Sequence, residues 1–489
     1  MLRRAARCAA TLVLGGWLAA GARGGDQAPG LATAAWKLEA VELKDGRRLE
    51  GLIAAPAADA DAAADVYVVQ VVRRPGRPMY LVTWGPLAAE RVAAFSRLPP
   101  AEHARLAARI QAFRDDATRR INAETTIELS RAAEDAPWRY ESDDFVLESR
   151  ADPGVTREAA LRLTQVFEAL TTLVPPVVPA GRPTTVRLCG STADYLAEQE
   201  ALGIRVANPA FFVPEKRLLV AGSDMPALVA RHRAAAAANA GAARRLEELD
   251  RRLPERLKSL AADLERQGMP PPQRAEVVQK ARGRWQQERA AELARVEAAN
   301  RENDSRMNAA RRGFYARLAH EAWHAYAEAR LRPAGGSGLP AWLDEGLAQV
   351  VESAPLEAGE LRLDAADPQR LAALQAAIRA GRAPAVVDVL RAGPEQFVAG
   401  HAAAADLPGR SYLVAWGLAF DLAMMKPVLT PTAVTDLARD DTADTADTAD
   451  AIARFERLVG GRLADFEAGW RERIMHLRGV AGPAVTPDR

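Results

Sequence analysis

Along residues 36–98, apolar residues come in short runs broken by turn signals, the pattern of small antiparallel strands. The runs 41–43, 49–53, 66–72 and 79–83 read as strands, and Asp45-Gly46 between the first two is a strong hairpin signal, because Gly accepts the positive φ of a tight turn. The expected product is a small SH3-like β-barrel over residues 31–98, able to bind a partner or to pack on the rest of the chain. A helical connector over 99–135 is expected next.

From Trp138 the period changes. Strand-like runs at 145–148 and 184–188 flank a helical pattern over 156–173, and residues 211–221 predict a strand pair turning at Pro214-Glu215-Lys216. Residues 138–225 therefore predict an α/β part. Over 226–306 the sequence is rich in Ala, Arg, Glu and Gln, with few large apolar residues, and Gln267-Gly268-Met269-Pro270-Pro271-Pro272 divides it into two long helices. This predicts an inserted helical hairpin. Clean heptads are hard to trace in it, which favours a solvated spacer or lid over a partner-binding coiled coil, and His232 within it reads as a surface residue. Between 311 and 331, Phe314, Leu318, Ala322, Ala325 and Ala329 recur at three- and four-residue spacing, and no Pro intervenes before Pro333. That pattern predicts a helix buried along one stripe. It opens a mostly helical segment, 307–478, and the whole chain reads as α+β.

The other face of this helix carries the chemistry, in His320-Glu321-Ala322-Trp323-His324. With six His in 489 residues, such a pattern arises by accident in about one chain in two hundred. Each helical residue advances about 100°, so His320 and His324 lie about 40° apart and one turn apart, close enough to hold one metal ion. Glu321 is placed to reach a water on that metal without being a ligand. A catalytic zinc has three protein ligands and one open position, so a third ligand must come from elsewhere. Residues 332–340 read as a helix stop, a flexible loop and a helix start, and lead into Trp342-Leu343-Asp344-Glu345-Gly346-Leu347-Ala348. An antiparallel return would bring Glu345 over the histidine pair. Asp344 is the alternative, since neighbours on a helix point about 100° apart and only one can face the metal. Leu343, Leu347, Val350 and Val351 form an apolar stripe, with Glu345, Gln349 and Glu352 on the other side. A purely structural zinc site would usually close with Cys or His, and no other Cys or His has suitable spacing nearby. One zinc ion per chain is expected.

HEAWH with a downstream WLDEGLA resembles the gluzincin class of zinc metallopeptidases, whose HExxH helix is completed by a Glu on a second helix. More narrowly, the chain is similar to secreted bacterial proteins with a peptidase-MA-like domain, over roughly residues 138–478. A metzincin would need Gly at 327 and His at 330, where this chain has Ala327 and Arg330. The resemblance implies a zincin-like catalytic domain, a small mixed sheet packed on the HExxH helix, with an edge strand that can pair with an extended peptide or protein substrate. It also implies metal ligands His320, His324 and Glu345, with Glu321 as general base and then proton donor to the leaving amine. Many gluzincins place a Tyr or His downstream to stabilise the oxyanion. Tyr412, at the head of an apolar run through Trp416, Leu418, Phe420 and Leu422, is the candidate, and His401 is the alternative. Two other function classes remain open. One is a non-catalytic envelope scaffold, against which the retention of Glu321 argues; the other is a zinc hydrolase acting on a non-peptide amide.

Composition adds little to this. The chain is 49% hydrophobic with a formal net charge of +1, enough for two or three domains, and gives no reason to expect nucleic acid or an anionic membrane as partner. Arg3, Arg4 and Arg7 precede an apolar stretch from Cys8 to Ala20, and Ala20-Gly21-Ala22 offers a cleavage site, so residues 1–22 predict an export signal and a periplasmic or extracellular protein. An uncleaved signal would serve as an anchor. No later stretch is long and apolar enough to span a membrane. Cys189 then has no partner for an internal disulfide and reads as a small buried apolar residue. The Thr-Ala-Asp repeats over 440–450 read as a solvated linker, without the Gly and closing Glu of a calcium loop.

Overall fold

The computed structural model describes residues 36–54, 65–72, 80–88, 91–115, 127–179, 181–222, 224–332, 338–354, 356–357, 360–363, 366–394, 396–397, 407–426, 428–438 and 448–478. The expected export signal, His401 and nearly all of the Thr-Ala-Asp repeat lie outside these residues.

Five strands open the fold: β1 (Glu39–Leu43), β2 (Arg48–Ala54), β3 (Asp65–Val72), β4 (Tyr80–Ala88) and β5 (Val92–Ser96). The β1–β2 turn is closed by Gly46 at φ 87°, with Leu43 N–H donating to the Arg47 carbonyl at 2.8 Å. Alternation along β1 and β2 buries Val41, Leu43, Leu49 and Ile53. The expected barrel does not form. β5 pairs with β1 and ends the sheet on that side, whereas the free edge of β4 takes up β12 (Glu360–Arg362) in parallel, Leu361 facing Val82, and β12 pairs in turn with β11 (Leu356–Glu357). The result is an open seven-stranded sheet in the order β11-β12-β4-β3-β2-β1-β5. Closure would need the two ends to pair with one another; instead one end recruits strands from some 270 residues downstream. The N-terminal strands are thus built into the body of the protein, and from Leu38 onward the chain clusters as one unit.

After α1 (Pro100–Asp115), the described part of the connector at 127–137 is non-helical and bridges Ser130 to Arg139. A second, mixed sheet follows, in the order β6-β7-β8-β10-β9, from β6 (Trp138–Glu141), β7 (Phe145–Ser149), β8 (Thr184–Leu188), β9 (Ala210–Val213) and β10 (Leu218–Ala221). β7, β8 and β10 run parallel, and β6 and β9 are antiparallel edges. The parallel crossover from β7 to β8 is α2 (Pro153–Leu173), capped by Asp152, whose carboxylate accepts from the Gly154 and Val155 N–H groups. The crossover from β8 contains α3 (Thr192–Leu202). β9 turns into β10 through a short 3-10 turn, Pro214–Lys216, with Arg217 at φ 46°.

Two long helices come next: α4 (Met225–Arg266), 42 residues, and α5 (Pro271–Tyr326), 56 residues. They form the expected hairpin, but its second arm does not stop near 306. It runs on as the HEAWH helix, because no Pro interrupts the sequence between Pro272 and Pro333. At about 1.5 Å per residue α5 is about 84 Å long. It ends in a π-helical turn, Ala327–Leu331. After a loop come α6 (Ala341–Ser353), β11 and β12, α7 (Pro368–Arg379), α8 (Val386–Leu390), α9 (Leu407–Phe420), α10 (Pro431–Ala438), α11 (Thr448–Val459) and α12 (Leu463–His476).

One continuous apolar core runs from Val41 in the first sheet through Trp323 and Tyr326 to Trp416, Trp470 and Ile474. It clamps the C-terminal third of α5 between α2, the second sheet and α6. Gly346 lets α6 approach α9 closely: a Cβ there would stand 2.5 Å from the Ala415 carbonyl oxygen. Among the described residues no helix is long and apolar enough to cross a membrane.

Candidate metal centre

The site is made by two helices meeting at their polar faces. α5 buries Phe314, Leu318, Ala322 and Ala325 on its core side, which leaves the His320 and His324 rings turned toward α6. α6 buries Leu343, Leu347, Val350 and Val351 and turns Glu345 and Glu352 back toward α5. His320 Nε2 stands 3.7 Å from Glu345 Oε2, and His324 Nε2 stands 3.7 Å from Glu345 Oε1. Both distances are too long for hydrogen bonds, so the three groups converge without satisfying one another. Taken together, one donor atom from each lies within 4.8 Å of the other two, a group that could hold a metal ion.

The far side of each ring explains why its Nε2 points inward. His320 Nδ1 lies 3.1 Å from Glu352 Oε2, and His324 Nδ1 lies 3.1 Å from Asp344 Oδ2. In a neutral imidazole a carboxylate on Nδ1 favours the proton there and leaves Nε2 its lone pair, the arrangement usual for metal-binding His. Asp344 is itself held by Trp323 Nε1–H at 2.7 Å. Asp344 and Glu345 therefore divide the roles that their adjacency left open: Asp344 braces His324, and Glu345 faces the space between both imidazoles.

Glu352 is braced in turn. Arg370 Nη2 lies 3.2 Å and Arg317 Nη1 3.5 Å from its two oxygens. Arg317 also reaches toward Glu321, with Nε 3.8 Å from Oε1. Burial alone would raise the Glu352 pKa, but the His320 hydrogen bond and the charges of His320, Arg370 and Arg317 overturn this and hold it far below the usual carboxylate range. At His320 burial prevails and lowers the pKa. At His324 burial also pulls downward, but the charges of Asp344, Glu345 and Glu321 with the Asp344 hydrogen bond push it up to about 10 in the metal-free chain.

Tyr412, on α9, places its hydroxyl 3.3 Å from Glu345 Oε2 and is nearly buried. Burial, then the negative charge of Glu345, raises its pKa, so it stays a protonated donor. A cleft of about 230 Å³ opens beside His324 and Glu321, and Phe212 and Pro214 at the β9 edge form one wall. The π-helical turn contributes Ala327 and Glu328, and Leu339 also lines the cleft.

The structure thus brings His320, Glu321, His324, Glu345 and Tyr412 together. Sequence reasoning assigned no role to Glu352, although its place seven residues after Glu345 puts it on the same face of α6. Arg317 and Arg370 carry no local signal at all. Cys189 is buried in the small cluster under α3, and burial pushes its thiol up to about 12. Comparison of the chain with protein-family models, with curated proteins and with solved structures returns no match.

Proposed function

We propose that the protein is a zinc-dependent metallopeptidase of gluzincin type, with His320, His324 and Glu345 as the metal ligands. The observation that carries this reading is the convergence of two imidazoles and one carboxylate within 4.8 Å of one another, with His324 of this group and Glu321 lining a cleft. Two nitrogens and one oxygen are a donor set that zinc takes, and bond lengths of about 2.0–2.1 Å place donors about 3.4 Å apart in a tetrahedron, compared with 3.7 Å for each His–Glu separation and 4.8 Å as the outer bound for the three donors here. A zinc ion, when bound, lowers the pKa of water and polarises a carbonyl.

The chain's own residues then have defined tasks. Glu321 lines the cleft as its base: it takes a proton from the attacking water and returns it to the leaving amine. Asp344 and Glu352 hold the two imidazoles in the ligating tautomer. Tyr412 either keeps Glu345 in place or turns its O–H to the developing oxyanion, a short swing from its present partner. The antiparallel edge strand β9 borders the cleft, so an extended peptide can add to the sheet and lie across the site, held by backbone more than by side chains. A mixed sheet whose β9 and β10 lie on the HEAWH helix supports the zincin-like reading.

The test is a broad peptide-library digestion by the wild-type protein and by Glu321→Gln. The variant should retain its metal and lose hydrolysis by roughly 10²–10⁴-fold. Equal cleavage by both would remove Glu321 from the chemistry. Cleavage by neither, with metal bound, would favour an amide substrate other than a peptide.

A further inference from the structure

A second cavity, of about 480 Å³, shares no lining residue with the cleft at the metal centre and lies where the β1–β2 turn and the start of β5 meet α10 and α11. Its volume is within the range of pockets that enclose a small organic molecule, and well beyond what one water or a simple ion needs. Among the described residues, Lys44, Arg91, Arg454 and Arg457 line it together with Asp45 and Asp436.

Asp45 is already engaged. It accepts from Arg47 Nε at 3.0 Å, Arg47 Nη2 at 2.6 Å and the Arg47 backbone N–H at 3.1 Å. Arg91 consequently gets only a long 3.8 Å contact from Nη2 to Asp45, and its Nη1 is buried with no hydrogen-bond partner. Burial, and then the nearby charge of Arg47, lowers the Arg91 pKa to about 10, which still leaves the guanidinium charged at neutral pH. A guanidinium this buried, whose nearby carboxylate is taken up by Arg47, is costly in a native fold, and an anion in the cavity, set against the part of the Arg91 side chain that stays exposed, offsets its charge. The remaining wall is apolar, with Val428, Leu437 and Leu458 beside the Thr430 hydroxyl. An inorganic anion would use the cations and leave this wall bare.

We propose that this cavity binds a small amphipathic organic anion, a carboxylate with an apolar tail, with Arg91 receiving the carboxylate, Arg457 and Lys44 at the rim, and Val428, Leu437 and Leu458 enclosing the tail. The site is independent of the metal centre.

The experiment is calorimetric titration of the full chain with octanoate, with 1-octanol and with inorganic phosphate, together with thermal melts. Octanoate should bind saturably at one site per chain, roughly tenfold or more tightly than either octanol or phosphate, because only octanoate satisfies both halves of the cavity. Arg457→Glu, an exposed rim change that leaves the fold intact, should weaken octanoate roughly tenfold. Arg91→Met should abolish the octanoate-dependent rise in Tm while leaving the ligand-free Tm unchanged or higher, because it removes an orphan charge. Octanol binding as well as octanoate, phosphate binding as well as octanoate, no saturable octanoate binding, or an unchanged affinity in Arg457→Glu would each overturn the proposal.

Discussion

The two halves of α5 are one helix with two different means of support. Over residues 271–306 no residue is buried, and the surface carries pairs such as Arg306 with Glu302 and Arg284 with Glu288 at helical spacing. Its partner across the hairpin touches it through contacts such as Trp285 to Asp250 and His232 to Asp304. Over residues 314–326 nearly everything is buried, including the polar Arg317, His320 and Glu321. The arm is held by helix propensity and many weak pairs, each worth little. The other half is held by tertiary packing, and that packing lets it keep polar groups in a place where each needs a named partner. The candidate metal centre lies in the second half, where charged and polar side chains are both desolvated and held in position.

The comparison breaks most visibly at Glu352. Replacing it with Ala removes the acceptor of His320 Nδ1 and strands Arg317 and Arg370, and should cost about 2–4 kcal/mol of stability, read by denaturant unfolding. The pH dependence has a defined sign. The folded pKa of Glu352 is depressed, so its contribution is fully present above its ordinary value of 4.5 and is lost as pH falls through the lower folded value. Glu352→Gln should flatten the stability curve in that acid window; an unchanged acid limb would show that Glu352 is not the clamp described.

Gly346→Ala comes next. A methyl at 2.5 Å from the Ala415 oxygen must push α6 and α9 apart, at about 1–3 kcal/mol. It should also lower kcat, since it moves Tyr412 on α9 relative to Glu345 on α6. Tyr412→Phe, which keeps the packing, would separate the two effects: roughly a hundredfold lower kcat places the hydroxyl in the chemistry, and a wild-type kcat removes it. At the small end, Arg306→Ala on the arm should shift stability by about 0.5 kcal/mol or less and leave activity untouched. A large loss there would mean that the arm is not the weakly held half.

The contrast also explains what the sequence made legible. HEAWH is a local pattern, and the period of one helix is enough to set His320 and His324 on one side; Glu345 lies on a second helix, and choosing it over Asp344 needs an assumed antiparallel return together with the resemblance. Glu352 sat visibly on the right face of α6, but its role depends on the antiparallel approach of α5, which no local pattern encodes. Arg317 and Arg370 act through that same approach. The N-terminal strands were legible one at a time, while their pairing was not: an SH3-like closure and an open sheet share the same alternation, and the choice depends on β12, which joins β4 from far downstream. The continuity of α5 was hidden differently, because the change from a solvated to a buried pattern near residue 307 marks a change of environment and looks like an element boundary.

The proposed function requires one metal ion at the meeting of α5 and α6. The direct measurement is metal content by mass spectrometry of the purified chain beside His324→Ala and Arg306→Ala, prepared identically. One zinc per chain is expected in the wild type and in Arg306→Ala on the arm, and essentially none in His324→Ala, whose loss leaves two ligands. Zinc retained in His324→Ala, or absent from a folded wild-type chain supplied with zinc, would contradict it.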